Sequence, residues 1–160
     1  MSDPETPENA TEGRFLVTHA EADSAVLKDV DGGQVHTLSE NPGLEAGDVV
    51  QGTVAPDPPM EVTWRVVEVD TRWRLAVEVS EEPPTAQERD LAPAEVGDVT
   101  RRERAGEGEI HVLTVPEPDT EAAVADVHDD EGTLVRAARL GVNRVEIRHE
   151  AGLVSVRYLP

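Results

Sequence analysis

The sequence contains no cysteine, a single lysine and only four aromatic residues. Without cysteine the chain has no disulfide framework, no thiolate metal site and no cysteine nucleophile. With so few aromatic side chains, the core has to be built mainly from valine, leucine and alanine. The four aromatic residues are Phe15, Trp64, Trp73 and Tyr158.

Long apolar runs are also missing from the sequence. No run approaches the roughly 20 residues that a membrane-spanning helix needs. The first residues carry neither the basic segment nor the apolar segment of a secretory signal. We therefore expect a cytoplasmic protein without a membrane span.

Acidic residues dominate the charge of the chain. It has 34 acids against 14 bases, a formal net charge of −20, and Lys28 is the one base that is not arginine. Val-rich alternating runs distinguish it from a disordered acidic segment. Such a composition suits a cytoplasm of multi-molar salt, where charge repulsion is screened within a few ångströms. The alternative is an ordinary acidic protein with a preference for arginine.

High salt changes what the net charge implies about partners. At molar salt both the long-range repulsion of nucleic acid and most of the affinity gained from counterion release are lost. The net charge therefore excludes few classes of partner. A nucleic-acid site would depend on short-range contacts, such as arginine forks, stacking and backbone amides.

The first half of the chain has the alternation of β-strands. Residues 1–12 are polar and predict a disordered acidic tail. Apolar runs at 25–30 and 34–38 flank Asp31-Gly32-Gly33, a strong hairpin signal. Five or six short strands with a turn about every ten residues predict a small antiparallel β-barrel over residues 13–80.

The second half predicts a mixed lobe, which makes the fold class α+β. Residues 81–96 predict a linker and a short helix, because Thr85-Ala86-Gln87-Glu88 is a capping-box pattern. Residues 97–160 predict a compact β-β-α-β-β lobe. Its helix is expected to end at Gly141, and Gly132-Thr133 is a place where that helix could divide.

Arginine is concentrated in this second lobe. Residues 97–160 contain eight bases against 13 acids. Guanidinium groups can fork onto phosphate or carboxylate, so these residues predict a site for phosphate, RNA or an acidic partner. The alternative is an exposed sheet face of Arg–Glu pairs around Glu146, with capping at the helix end. The candidate residues are Arg101, Arg102 and Arg104 before a turn, Arg136 and Arg139 near the helix end, and Arg144, Arg148 and Arg157 on one sheet face.

Signals for catalysis and for metal binding are weak. The sequence has no Gly-x-Ser-x-Gly elbow, phosphate-binding loop or dinucleotide fingerprint. The five histidines lie apart, without the spacing of a helical metal site. We therefore predict no catalytic residue, no metal ligand and no cofactor. The histidines are His19, His36, His111, His128 and His149.

One segment resembles a known type of barrel. Residues 47–54 read Gly-Asp-Val-Val-Gln-Gly-Thr-Val, and this pattern is similar to the strand entry of oligonucleotide-binding folds of the S1 and TRAM type. The resemblance covers about residues 13–70 and implies a face that binds RNA or DNA. Single-strand binders present stacking aromatics, for which Trp64 is the candidate. The alternative is that Trp64 and Trp73 both belong to the core.

The whole chain also resembles an uncharacterised family of halophilic archaea. The segments that carry the resemblance are residues 13–19, 33–43, 55–64, 102–116 and 154–160. The resemblance implies a host class and neither an activity nor site residues.

The function predicted from these observations is that of a non-catalytic binding or adaptor protein. Nucleic acid, bound through the barrel or the arginine face, is its most concrete form. The alternative is a protein–protein interaction or assembly factor without a nucleic-acid site. A small enzyme is the third candidate.

Overall fold

The computed structural model describes residues 9–104 and 106–160. The chain divides into two units, one ending at Arg74 and one beginning at Leu75, and each unit has its own sheet. The predicted acidic tail lies largely outside the described residues, and its last two residues, Thr11 and Glu12, already belong to the first strand. No helix among the described residues is long and apolar enough to cross a membrane.

Five strands of the first unit form a closed ring of pairings, in the order β1-β2-β3-β5-β4 and back to β1. The prediction of an antiparallel barrel is wrong at one place in the ring. There β3 and β5 pair in parallel, at Leu38 and Trp64. A parallel contact needs partners far apart in sequence, which local alternation does not reveal. The strands are β1 (Thr11–Ala20), β2 (Ala25–Asp29), β3 (Val35–Leu38), β4 (Asp48–Pro56) and β5 (Trp64–Arg74).

The predicted hairpin joins β2 to β3. The Asp29 carboxylate accepts hydrogen bonds from the backbone of Asp31 and Gly32, at 2.9 and 3.0 Å. Gly33 has φ +79°, a conformation that glycine adopts at little cost. The interior of the ring is apolar, with buried residues Phe15, Val17, Ala25, Leu27, Leu38, Leu44, Val50 and Val54.

Gly52 allows the closest approach within the ring. It lies between two irregularities in the pairing of β4 with β5. A Cβ added there would collide with the backbone carbonyl of Glu68. The glycine of the barrel-like motif is therefore required by the contact between two backbones, as bulged strands often require.

The second unit pairs its strands in the order β6-β9-β10-β8-β7. Among the described strands of this unit, β6 and β9 run parallel and the other neighbouring pairs run antiparallel. Both units together make the chain α+β, with more strand than helix. The elements are β6 (Ala76–Val79), α1 (Ala86–Leu91), β7 (Val99–Glu103), β8 (Glu109–Thr114), a short 3-10 helix (Glu117–Asp119), α2 (Thr120–Asp129), α3 (Glu131–Leu140), β9 (Arg144–Glu150) and β10 (Leu153–Leu159).

The alternating sequence from Trp73 to Val79 is typical of one continuous strand, but the structure divides it between the two sheets. β5 ends at Arg74 in the ring, whereas Ala76 pairs with Arg144 in the second sheet. Apolar alternation continues through the buried Leu75, so the pattern does not mark where the chain leaves the ring.

The helix boundaries follow the capping residues. Thr85 caps α1 as predicted, since its side chain accepts a hydrogen bond from the Glu88 backbone. The long helix divides at Asp130, two residues before the predicted Gly132, because the Asp130 carboxylate caps α3. The predicted end at Gly141 is confirmed, with φ +76°.

The last two strands of the predicted lobe, β9 and β10, form a hairpin, and its register separates two kinds of face. Val145 lies opposite Tyr158 and Ile147 opposite Val156, all buried. Helix α2 packs against these two strands. The other face carries the polar and charged side chains of the hairpin, which are Arg144, Glu146, Arg148, Glu150, Ser155 and Arg157.

Candidate functional site

The polar face of β9 and β10 holds a cluster of ion pairs. Glu146 accepts hydrogen bonds from Arg148 Nε and Arg157 Nη1, each at 2.6 Å. The three side chains are 13%, 15% and 19% exposed. Burial raises the pKa of Glu146, but the two arginines outweigh it, so this pKa lies below its ordinary value.

Helix α1 and the segment before it add further carboxylates to this face. Glu88 is 1% exposed, and its Oε1 lies 3.6 Å from Arg157 Nε. Glu82 lies 3.1 Å from Arg148. The two most buried arginines of the predicted face are therefore already held by acids of the same unit. This arrangement corresponds to the Arg–Glu pairing that was the alternative interpretation.

The remaining candidate arginines lie in different places. Arg101 and Arg102 are exposed on β7, and Arg104 donates to the Glu107 carbonyl at 2.9 Å. Arg136 lies 3.9 Å from Glu109. Arg144 shares the face of Arg148 on β9 and lies 3.6 Å from Glu78 of β6, whereas Arg139 is exposed on α3. The eight arginines therefore do not form one continuous surface.

Trp64 packs against the interior of the ring. Its ring lies 4.2 Å from that of His36, and His36 lies 5.6 Å from Phe15, both at steep angles. His36 is 6% exposed, and its Nδ1 has no hydrogen-bond partner. Burial lowers the pKa of His36, against an opposing effect of Asp29. Trp64 is thus partly used by the core, which limits the area it could offer to a base.

The second tryptophan points away from the apolar interior. The Arg14 guanidinium lies 5.4 Å above the Trp73 ring, a cation–π distance. Arg14 also donates to the Gln51 side chain at 3.3 Å. Arg14, Gln51 and Trp73 share one face of β1, β4 and β5, because Phe15 and Val50 between them face inward.

A pair formed by one histidine and one glutamate lies on the helix-covered face of the second sheet. His111 Nε2 is 3.1 Å from Glu109 Oε2, and its ring centroid is 5.0 Å from that of Tyr158. Burial lowers the pKa of His111, although Glu109 opposes this, and burial raises the pKa of Tyr158. Among the described residues no group of three or more His, Asp or Glu is placed to hold a metal ion.

The loop between β4 and β5 exposes large apolar side chains. Met60 is 76% exposed and Val62 is 72% exposed. We call residues 57–63 the Met60 loop. Exposed apolar residues are common singly, and two within three residues make this loop a candidate for an interaction surface.

Asp57 fixes the conformation of the Met60 loop. Its Oδ2 accepts hydrogen bonds from Ser39 at 2.6 Å and from Thr63 at 2.9 Å. Arg65 lies 3.5 Å from its Oδ1. The hydrogen bonds from Ser39 and Thr63, with the smaller effect of Arg65, hold the pKa of Asp57 below its ordinary value. The loop is therefore held at its base while its tip is open to solvent.

At the Met60 loop, Asp57-Pro58-Pro59 indicates a break between two strands and does not by itself indicate a binding surface. A usable signal was present, because Met60 and Val62 interrupt an otherwise polar, proline-rich turn. The His111–Glu109 pair gives no such signal, because acids are so abundant in this sequence that a glutamate near a histidine carries little information. The exposed Met60 loop and the His111–Glu109 pair both depend on whether a side chain lies on the exposed or on the buried side of its backbone.

A model of a family of unknown function, DUF5812, matches residues 11–149. No curated protein and no solved structure matches the chain. The expectation of an uncharacterised family is confirmed, while the halophilic archaeal source stays a prediction.

Proposed function

We propose that this chain, which belongs to DUF5812, a family of unknown function, is a non-catalytic adaptor. It binds another protein through the Met60 loop. One observation carries the proposal. Met60 and Val62 are largely exposed on a loop whose base is fixed by hydrogen bonds to Asp57. A fixed loop loses little conformational entropy when it binds.

The tip of the loop indicates the chemistry of the partner. Glu61 lies between the two apolar residues, and its φ of +57° is unusual for a residue other than glycine. Asn9 donates to the Glu61 carboxylate at 2.7 Å. An apolar pair around a carboxylate fits an apolar pocket of a protein with a basic group at its rim.

The architecture of the ring supports the same location. Its strand order and the parallel β3–β5 contact resemble a small oligonucleotide-binding barrel. In such barrels the β1–β2 and β4–β5 loops lie at a binding surface, where they contact oligonucleotides and oligosaccharides. The Met60 loop occupies the β4–β5 position.

The arginine face supports a binding role less well. Arg148 and Arg157 are hydrogen-bonded to Glu146 and are mostly buried. To reach these arginines, a phosphate would have to displace the Glu146 carboxylate. The negative charges of the phosphate and of Glu146 would then repel each other. We therefore favour a protein partner over nucleic acid.

The test is a pull-down of tagged protein from lysate at molar KCl, with and without nuclease. We expect a partner that survives nuclease and is retained about tenfold less by a Met60→Ser/Val62→Ser variant, a loss equivalent to about 1.4 kcal/mol. Val96→Ser is the matched control, because Val96 is 59% exposed in the other unit.

Two outcomes would contradict the protein-binding proposal. One is a partner that the double variant retains at the level of the unmodified protein. The other is loss of every partner on nuclease treatment. Circular dichroism of both variants would separate lost binding from lost folding.

Nucleic acid is the second candidate, and the Arg14–Trp73 contact favours it. A guanidinium over an indole is a feature of single-strand binding surfaces. Nuclease-sensitive capture, followed by loss of binding to single-stranded oligonucleotide in Trp73→Leu, would support this candidate over the first.

We further propose that the protein works in a cytoplasm of multi-molar salt. The support is compositional: the net charge is −20 and 13 of 14 bases are arginine. Carboxylates at that density are tolerated where salt screens them over a few ångströms.

A further inference from the structure

Strand β7 (Val99–Glu103) lies at one edge of the second sheet, beside β8. Two backbone hydrogen bonds set the phase of this ladder: Thr114 N donates to Asp98 O at 3.3 Å, and Arg104 N donates to Gly108 O at 3.1 Å. Even-numbered residues of β7 therefore direct their backbone groups toward β8. Val99, Arg101 and Glu103 direct theirs away from it, as alternation along an antiparallel strand requires.

The side chains on this edge are exposed and basic. Val99 is 42% exposed, and Arg101, Arg102 and Glu103 are also exposed. Arg101 lies opposite His111 and Arg102 opposite Ile110, so the two guanidinium groups emerge on opposite faces. Any strand added beside β7 would find a cation on each face.

We propose that β7 accepts an extended acidic segment of another protein, which adds a sixth strand to the sheet. The backbone of Val99, Arg101 and Glu103 supplies the hydrogen bonds, and Arg101 and Arg102 pair with carboxylates of the incoming segment. Added strands of this kind take affinity from the main chain and specificity from side chains. Opposite charges on neighbouring strands stabilise the pairing, whereas like charges destabilise it.

Charge selects this occupant over the alternatives. The charged side chain of the opposite edge strand, β6, is Glu78, whereas β7 carries two arginines and one glutamate, so an acidic segment is favoured at β7 over β6. A second copy pairing β7 with β7 in the register that joins Arg101 to Glu103 brings the two Arg102 side chains opposite each other. The proposal concerns the second unit and does not rest on the Met60 loop.

The first experiment uses a short capped peptide that alternates glutamate with valine, labelled for fluorescence anisotropy. We expect binding to the full chain in KCl that keeps it folded. Two further peptides carry N-methyl groups on one or the other alternate set of amides. Methylation of the set that pairs with β7 should abolish binding, and methylation of the other set should leave it. Equal binding by both methylated peptides would overturn the proposal.

The second experiment exchanges the charges. In Arg101→Glu/Arg102→Glu we expect the acidic peptide to bind at least about tenfold more weakly. A peptide alternating lysine with valine should bind this variant and not the unmodified protein. Gain of binding cannot come from misfolding, so this readout stands even if the variant is less stable. Failure of the exchange would overturn the proposal, as would concentration-dependent self-association that the acidic peptide does not disrupt.

Discussion

The two units carry the same excess of negative charge and place their ionised side chains differently. Residues up to Arg74 contain 15 acids and five bases, and residues from Leu75 contain 19 acids and nine bases, a net of −10 in each. In the second unit Glu146 and Glu88 lie with Arg148 and Arg157 beneath α1. Net charge therefore does not predict where ion pairs lie.

The first unit keeps its main ion pairs open to water. Asp48 is buried, and it accepts hydrogen bonds from Arg72 at 2.8 Å and Arg74 at 3.2 Å. Those arginine side chains remain 41% and 56% exposed. Burial raises the pKa of Asp48, but the Glu45 backbone and the two arginines outweigh it, so this pKa lies below its ordinary value. In the first unit, water therefore stabilises the charges together with their ion-pair partners. In the second unit, protein groups supply more of the stabilisation of the charged side chains.

Removal of salt should have the largest effect and tests the equality of the two net charges. Below about 1 M KCl, repulsion reaches beyond roughly 3 Å, and we expect both units to lose structure. Far-UV circular dichroism reports the whole chain. Fluorescence of Trp64 and Trp73 reports the first unit, because both tryptophans lie there.

Because the charge excess is equal, the two signals should change at the same KCl concentration. A clear separation would mean that the placement of charge, rather than its amount, controls the response to salt. A chain that stays folded in dilute buffer would contradict the proposal of a salt-rich cytoplasm.

Substitution of Glu146 should have the next largest effect and tests the difference between the units. In Glu146→Ala the partly buried Arg148 and Arg157 lose their shared acceptor. We expect the free energy of unfolding to fall by about 3 kcal/mol. Urea titration at constant molar KCl measures this value.

Glu78→Ala is the matched control in the same sheet. Glu78 and Arg144 are 53% and 49% exposed and lie 3.6 Å apart, so their pairing should contribute less than about 1 kcal/mol. Equal losses in the two variants would show that the cluster beneath α1 is not more stabilising than an exposed pair.

Local patterns predicted much of the fold. Asp31-Gly32-Gly33 predicted the β2–β3 hairpin, Thr85 the start of α1, and Gly141 the end of α3. Alternation also assigned the two faces of β9 and β10. Each of these signals lies within a few residues of the structure it predicts.

Contacts between distant segments were beyond such signals. The parallel contact of Leu38 with Trp64 and the pairing of Ala76 with Arg144 join residues far apart in sequence. The candidate site shows the same limit. The sequence placed Arg148 and Arg157 on one face of the sheet, but it did not show that Glu88 covers that face.

Protonation of the buried histidines should have the smallest effect on stability. It compares the two units at the level of single side chains. Both His36 in the ring and His111 in the second unit have pKa values lowered by burial. His111 has Glu109 at 3.1 Å, which favours its charged form, whereas Nδ1 of His36 has no partner. At both sites charging the histidine therefore costs free energy in the folded chain, and this cost is opposed by Asp29 at His36 and by Glu109 at His111.

The sign of the pH dependence follows from where protons bind. The unfolded chain takes up a proton near the ordinary pKa of 6.5, before folded His36 does. The stability of the ring is therefore complete above that value and falls as the pH drops through it toward the lower folded pKa. The pKa of Asp48 lies below its ordinary value of 3.8, so this carboxylate titrates in a separate range of pH.

We expect His36→Gln to remove this loss of stability from urea titrations followed by tryptophan fluorescence. His19→Gln, at an exposed position of the same unit, should leave the loss unchanged. If both variants keep the loss, the histidine in the ring is no harder to charge than one in water.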